Sequence, residues 1–267
     1  MLKTEMRNPA TTHIDEMSAA EMVAVMNQEN LNAAMAVSRV SGAVSEAIDR
    51  ISQRMALGGR LFYIGCGTSG RLGVLDASEC PPTYGVSPDL VVGIIAGGDG
   101  AQRRTTQGAE DSREAGFAVL ESYNITENDT VVGISAAGGA AYVLAALQYA
   151  KDHGALTVGI TSNAGSPISR FADIAIDPDT GAEVVTGSTR MKAGTAQKLI
   201  LNMISTGVMI RLGHVYENMM INLRPTNIKL TARMVRIVQE ITGLDEEAAK
   251  KLLEENDWSI RKAVEMR

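Results

Sequence analysis

Residues 65–79, GCGTSGRLGVLDASE, gather glycines, two hydroxyls and a carboxylate directly after the apolar run LFYI. Gly65, Gly67 and Gly70 fit G-x-G-x-x-G. Between a strand and a helix that pattern marks a dinucleotide turn, and the backbone amides at such a helix start suit any anion. A dinucleotide site also needs an acidic residue about 20 positions further on, at the end of the second strand, for the ribose hydroxyls. The nearest candidate there, Asp99, stands 29 residues beyond Gly70. Thr68 and Ser69 add hydroxyls where a pyrophosphate turn usually offers bare backbone, and hydroxyls with amides match the extra oxygens of a terminal phosphomonoester. No lysine of an ATP-cradling loop follows. The turn points to a sugar phosphate; the plainer alternative is that Thr68 and Ser69 only cap the next helix.

Two carboxylates accompany the turn. Glu79, in DASECPP, falls at the end of a short helix that two prolines are expected to stop, so its side chain is presented at a rigid break. Glu110, in QGAEDSRE, follows 31 residues later, after the second apolar run. Both can reach one crevice, although most of the 31 acidic residues must be solvated surface groups and that reading stays open for both. Cys66 and Cys80 are too few for a disulfide framework or a four-cysteine metal site, and the three histidines lack ligand spacing. No metal is expected, and with no histidine partner in view both cysteines read as packing residues.

These groups must be held by a repeating frame. LFYI (61–64), LVVGIIA (90–96), TVVGIS (130–135), LTVGIT (156–161) and a weaker ADIAI (172–176) are short apolar runs separated by helix-length stretches, the pattern of a parallel sheet covered on both faces. Ligands in such sheets gather at the carboxyl ends of the strands, so GCGTSG, AGGDG and SAAGG are expected to open onto one crevice. Upstream, SAAE from Ser18 is a capping box, and Leu31, Met35, Val40, Val44, Ile48, Ile51 and Met55 recur at helical spacing, so the first sixty residues read as helical. Residues 191–212 are apolar around most of a helix and need cover, for which a second subunit is the natural candidate. After NLRPTN a charged tail reads as two or three short helices around Leu244, Leu252, Leu253, Trp258 and Ala263. The chain divides into a helical segment (1–57), a sheet domain (58–222) and a helical module (223–267).

The 267 residues carry a net charge of −6 and only 4% aromatics, against a nucleic-acid partner, which calls for a basic stripe or stacking surfaces. The N-terminus has no apolar signal-like core and no run is long enough to cross a bilayer, so a cytoplasmic chain without a membrane partner is expected.

GCGTSGRLGVLDASECPPTYG, AGGDGAQRRTTQGAEDSREAG and GAEVVTGSTRMKAGTAQKLILNMISTG closely resemble the N-acetylmuramic acid 6-phosphate etherases, from about residue 5 to the end. The resemblance implies a three-layer α-β-α sandwich of the sugar-isomerase (SIS) type, a homodimer without metal or organic cofactor, and a small ubiquitin-associated-like (UBA-like) helical module at the C-terminus. It implies a lyase that splits the D-lactyl ether at C3 of the sugar during recycling of cell-wall muramic acid. Glu79 matches the family's acid/base and Glu110 its second essential glutamate. Phosphate would lie on Gly67, Thr68 and Ser69. Ser188, Thr189 and Lys192 of GSTRMKAG would complete the pocket at the start of the long buried helix, where amides and dipole favour an anion; capping of that helix is again the plainer alternative. One loop departs from the pattern. The family carries ASGRTPYV after the third strand, whereas this chain has Ala137, Gly139, Ala140 and Ala141 in place of the serine, arginine, threonine and proline, leaving Ser135 as a displaced hydroxyl. A changed substrate, or a sugar-phosphate-sensing regulatory protein without turnover, is therefore weighed beside the etherase.

Overall fold

The computed structural model describes residues 1–225 and 227–264. Ser18 opens α1 (Ala19–Ser38) through the expected reciprocal cap: its backbone N–H donates to Glu21 Oε2 at 2.8 Å and its Oγ accepts from Glu21 N at 3.4 Å. The helical segment is two helices, because the chain breaks around Val40 before α2 (Ser41–Ala56). Val44, Ile51 and Met55 are buried as expected, while Leu31 and Met35 face solvent. Helix α1 turns Ala33, Ala36 and Val37 inward instead, small residues that allow close helix contact. Ahead of Ser18 lie short 3₁₀ turns, pinned by the Lys3 N–H to Asn163 Oδ1 (2.9 Å) and by Thr11 Oγ1 to the Val184 carbonyl (2.8 Å).

The alternating runs become β1 (Leu61–Gly65), α3 (Gly67–Tyr84), β2 (Val91–Ile95), α4 (Arg113–Glu121), β3 (Thr130–Ile134), α5 (Ala141–Asp152), β4 (Leu156–Ile160), α6 (Pro167–Phe171) and β5 (Ile174–Ile176). The five strands form one parallel sheet in the order β2-β1-β3-β4-β5, so β1 and β3 leave in opposite directions from the switch point where ligands collect. Side-chain alternation feeds two cores. Leu61 and Tyr63 of β1 join α2, α3 and α7 (Lys192–Arg211) on one face, whereas Phe62 and Ile64 join α4, α5 and α6 on the other, giving three layers. Helix α7 is covered by α1, α2 and α3 of its own chain, which supply much of the cover expected from a second subunit; Met203 and Ile210 remain exposed.

A two-residue-per-strand hairpin, β6 (Val215–Tyr216) with β7 (Met219–Met220), leads into α8 (Ile228–Thr242), α9 (Glu246–Glu255) and α10 (Ile260–Ala263). These helices enclose their own apolar cluster, in which Leu253 and Ala263 are buried beside Met234 and Val238 and Trp258 packs alongside. Leu244 is exposed, because it lies in the turn between α8 and α9.

Candidate functional site

The glycine pattern is first a packing device. Helix α3 leaves β1 so tightly that a Cβ on Gly70 would stand 2.5 Å from the Gly65 carbonyl oxygen, and one on Gly73 2.9 Å from Tyr63 Cβ. Gly67 takes a left-handed φ of +50° with open space around it. Cys66 is the N-cap and no side chain caps this helix, so the hydroxyls are not spent on capping. Ser69, read as a phosphate donor, is buried and donates to Gln197 Oε1 of α7 at 3.0 Å; close strand–helix packing turns it toward the interior. Thr68 is half-buried and lines a cavity of about 280 Å³ between α3 and α7, together with Arg190, Thr195 and Lys198.

Helix α3 continues through Pro81 and Pro82 to Tyr84, contrary to the expected stop. Cys80 and Tyr84 are buried, and the Tyr84 hydroxyl meets Thr206 Oγ1 of α7 at 3.2 Å, so packing on α7 holds the last turn despite the missing amides. Gly85, at φ +67°, is the true terminator. Glu79 therefore stands on a regular helix. Thr68, Leu72, Leu75, Asp76 and Glu79 recur on one face, with Thr68 and Glu79 roughly 16 Å apart along the axis. Glu79 is exposed and lines a cavity of about 230 Å³ with Asp76, Lys198 and Asn202; this void and the Thr68 cavity share Leu72 and Lys198.

Glu110 lies elsewhere. It borders a crevice of about 300 Å³ at the ends of β1 and β2, lined by Cys66, Gly67 and Arg71 around the start of α3 and sharing no lining residue with the two voids along the α3/α7 groove. Arg71 is tied to the loop after β2 by 2.9 Å bonds to the Ala101 and Gln102 carbonyls. Within one chain, then, the structure joins Glu110 to Gly67 and joins Glu79 to the Thr68 groove, but it does not bring the two glutamates together. Burial, reinforced by Glu110 and Asp111, pushes the Cys66 thiol up to about 12, and burial with Asp76 and Glu79 does the same to Cys80, so both stay protonated thiols near neutral pH.

The start of α7 is already occupied. The buried Glu183 carboxylate accepts the Lys192 N–H at 2.8 Å and the Ala193 N–H at 2.9 Å, filling the anion position expected for substrate. Lys192 Nζ is buried in an ion pair with Glu29 of α1 and borders a different cavity, beside Thr180 and Arg39. Its charge is committed within the fold. Ser188 and Thr189 precede the helix and are half-buried; the Thr189 carbonyl accepts the Gly194 N–H, and the Thr68 methyl stands beside Gly194. The cations facing the α3/α7 groove are Arg190 and Lys198, neither with an ion-pair partner among the described residues. Arg190 is the arginine of GSTRMKAG and Lys198 lies two turns beyond Arg190, so their order in the sequence was the available signal.

Ser135 is buried, and both its Oγ and its carbonyl accept the Gly138 N–H at 3.1 and 3.0 Å, closing the turn. Gly138 has φ +75°, and any Cβ there would overlap Ser166 Oγ. Gly139 faces open space, and the N-cap of α5, Ala140, offers no capping side chain. This third loop packs on the segment after β4 and does not line the Glu110 crevice.

A parallel 2-1-3-4-5 sheet is common to doubly wound proteins; with the hydroxyl- and glycine-bearing turn after β1 and two matching family models, it is here that of a protein of the SIS class. The chain matches the N-terminal SIS domain of glucokinase regulatory protein over residues 42–151, the SIS domain over 104–206 and a UBA-like domain over 237–266. A phosphoheptose isomerase from Francisella tularensis shares the fold at TM-score 0.56 and 15% identity, over 73% of this chain and all of that one. Sequence relatives narrow the class. The chain is 55% identical to the N-acetylmuramic acid 6-phosphate etherase of Clostridium beijerinckii and 52% identical to that of Caldanaerobacter subterraneus, each over 99% of its own length and 87% of the relative's. It belongs to the N-acetylmuramic acid 6-phosphate etherase family.

Proposed function

We propose that this chain cleaves the D-lactyl ether of N-acetylmuramic acid 6-phosphate, releasing D-lactate and N-acetylglucosamine 6-phosphate as a carbon–oxygen lyase of cell-wall recycling. Identity above one half to a named etherase over nearly the whole length carries this reading. An ether is a poor leaving group, but in the ring-opened sugar the C1 aldehyde acidifies the C2 proton and the C3 oxygen lies β to the resulting carbanion. A base removes the C2 proton, the electron pair forms the C2–C3 double bond, and the C3–O bond breaks as the lactate oxygen gains a proton. Water then adds, its oxygen to C3 and a proton to C2. The C2–H pair becomes the C2–C3 π bond, the C3–O pair leaves with the lactate oxygen, and the net change is a hydrolysis that needs no oxidant or reductant. Glu79, on a rigid helix beside a cavity, takes the acid/base role; Glu110 is its partner. Positioned transfer of this kind contributes about 10²- to 10⁴-fold.

Because Glu79 and Glu110 line separate cavities in one chain, the reading includes a homodimer in which one protomer's Glu79 faces its partner's crevice. Thr68, with Arg190, is the phosphate-facing pair in the groove; Gly67 offers its backbone amide, Ser188 and Thr189 lead into α7 beside it, and Ser135 acts from within by closing its own turn. Ser69 and Lys192 support it from within through Gln197 and Glu29. Residues 1–57, 58–222 and 223–267 are its three units, and the cytoplasm its compartment. The bare Gly139–Ala140–Ala141 loop favours a second reading, a sugar-phosphate-responsive regulator without turnover. Incubation with N-acetylmuramic acid 6-phosphate and an assay for D-lactate decides: release supports the lyase, whereas saturable binding without release supports the regulator.

A further inference from the structure

The Glu79 cavity holds a cation that the proton-transfer chemistry does not use. Lys198 enters from α7, exposed and without an ion-pair partner among the described residues, and lines the cavity together with Glu79. The one other acid in this cavity is Asp76. Asn202 Nδ2 donates to its Oδ1 at 2.7 Å, Oδ2 has no hydrogen-bond partner, and burial holds its carboxyl above the ordinary range against the opposing pull of Asn202 and the Lys198 charge, so a solvated anionic ligand meets only a weak competitor for the ammonium group. The remaining wall is apolar: Leu72, Leu75 and Leu201. A cation and an aliphatic wall beside a proton-transferring carboxylate complement a small branched acid, with a carboxylate on one arm and a methyl on the other.

We propose that Lys198 recognises the carboxylate of the departing lactyl group, with Leu72 and Leu75 receiving its methyl, and so sets which ethers are brought to Glu79. The assignment rests on the etherase reading above. It makes Lys198 a specificity-determining residue whose contact is made alike in ground and transition states. Replacement therefore raises KM about 10- to 100-fold with little change in kcat, the span of one charge-assisted hydrogen bond.

The test compares the full-length wild type with Lys198→Met and Lys198→Arg on two substrates, the lactyl ether and its carboxamide, following KM, kcat and the melting temperature. Wild type and Lys198→Arg are expected to prefer the carboxylate about 10- to 100-fold, and Lys198→Met to lose that preference while melting like the wild type. A purely structural lysine would not move the carboxylate-to-amide ratio, so a Lys198→Met enzyme that keeps the wild-type ratio overturns the assignment. Absence of lactate or lactamide release from the wild type overturns the etherase reading and the assignment together, whereas release with an unaltered ratio in the variant overturns the assignment alone.

Discussion

Gly139 offers a direct way to probe the bare loop after β3. An added Cβ there meets no atom within 4 Å, and its backbone is not among the positive-φ glycines, so Gly139→Arg introduces neither a Cβ clash nor backbone strain. The new guanidinium would stand one residue before the N-cap of α5, whose first amides no side chain caps. One charge-assisted hydrogen bond is worth about 1.5–3 kcal/mol, or about 10- to 150-fold in affinity, and solvent at an open loop favours the lower end. Titration calorimetry with N-acetylglucosamine 6-phosphate should register about a 10-fold fall in Kd, with no change for unphosphorylated N-acetylglucosamine. The neighbouring Gly138→Arg is the control, since its φ of +75° and overlap with Ser166 should lower the melting temperature without raising affinity. An unchanged Kd for the phosphorylated sugar in a normally folded Gly139→Arg protein, or an equal gain for both sugars, would refute a phosphate position at this loop.

Lys192→Met leaves Glu29 buried without its partner and should cost about 3–5 kcal/mol in urea unfolding, whereas a lysine serving substrate alone would leave stability unchanged. Asp129 is buried and takes hydrogen bonds from Arg60 and Thr126; burial pushes its carboxyl up, but these donors outweigh it and hold it below the ordinary value. Its stabilisation is thus present above the unfolded carboxyl's pKa of about 4 and lost as pH falls through the lower folded value, so Asp129→Asn should be less stable at pH 7 and flatten the acid limb of stability against pH. Ala140→Ser supplies the missing N-cap of α5 and should add about 1 kcal/mol, seen as a raised melting temperature.

The sheet was legible because its strands are short, β-branched and spaced by helix-length segments, and the Ser18 box fixed the start of α1 within the chain's own local chemistry. Three features needed tertiary contacts. Two prolines read as a helix stop, but Cys80 and Tyr84 anchor the last turn of α3 on α7, an interaction between residues more than a hundred positions apart. Ser69 and Lys192 read as ligand groups from their place in glycine-rich and basic motifs, yet Gln197 and Glu29, on other helices, claim them. Local sequence also placed Glu79 and Glu110 in one crevice, because it does not reveal that Glu79 lies well along α3 beside Lys198 and Asn202 of α7, whereas Glu110 borders the crevice at the strand ends. Leu31 and Met35 followed helical spacing onto the wrong side of α1, where small alanines make the contact.

Elimination driven by Glu79 exchanges the C2 hydrogen of the sugar with solvent, and isotope incorporation in heavy water reads that exchange. With N-acetylmuramic acid 6-phosphate in deuterium oxide, wild-type protein should release D-lactate and leave one deuterium at C2 of the N-acetylglucosamine 6-phosphate. Glu79→Gln should bind the substrate comparably and neither exchange nor release. A product that keeps its original hydrogen at C2, or a Glu79→Gln protein that exchanges and releases at the wild-type rate, would exclude elimination driven by Glu79.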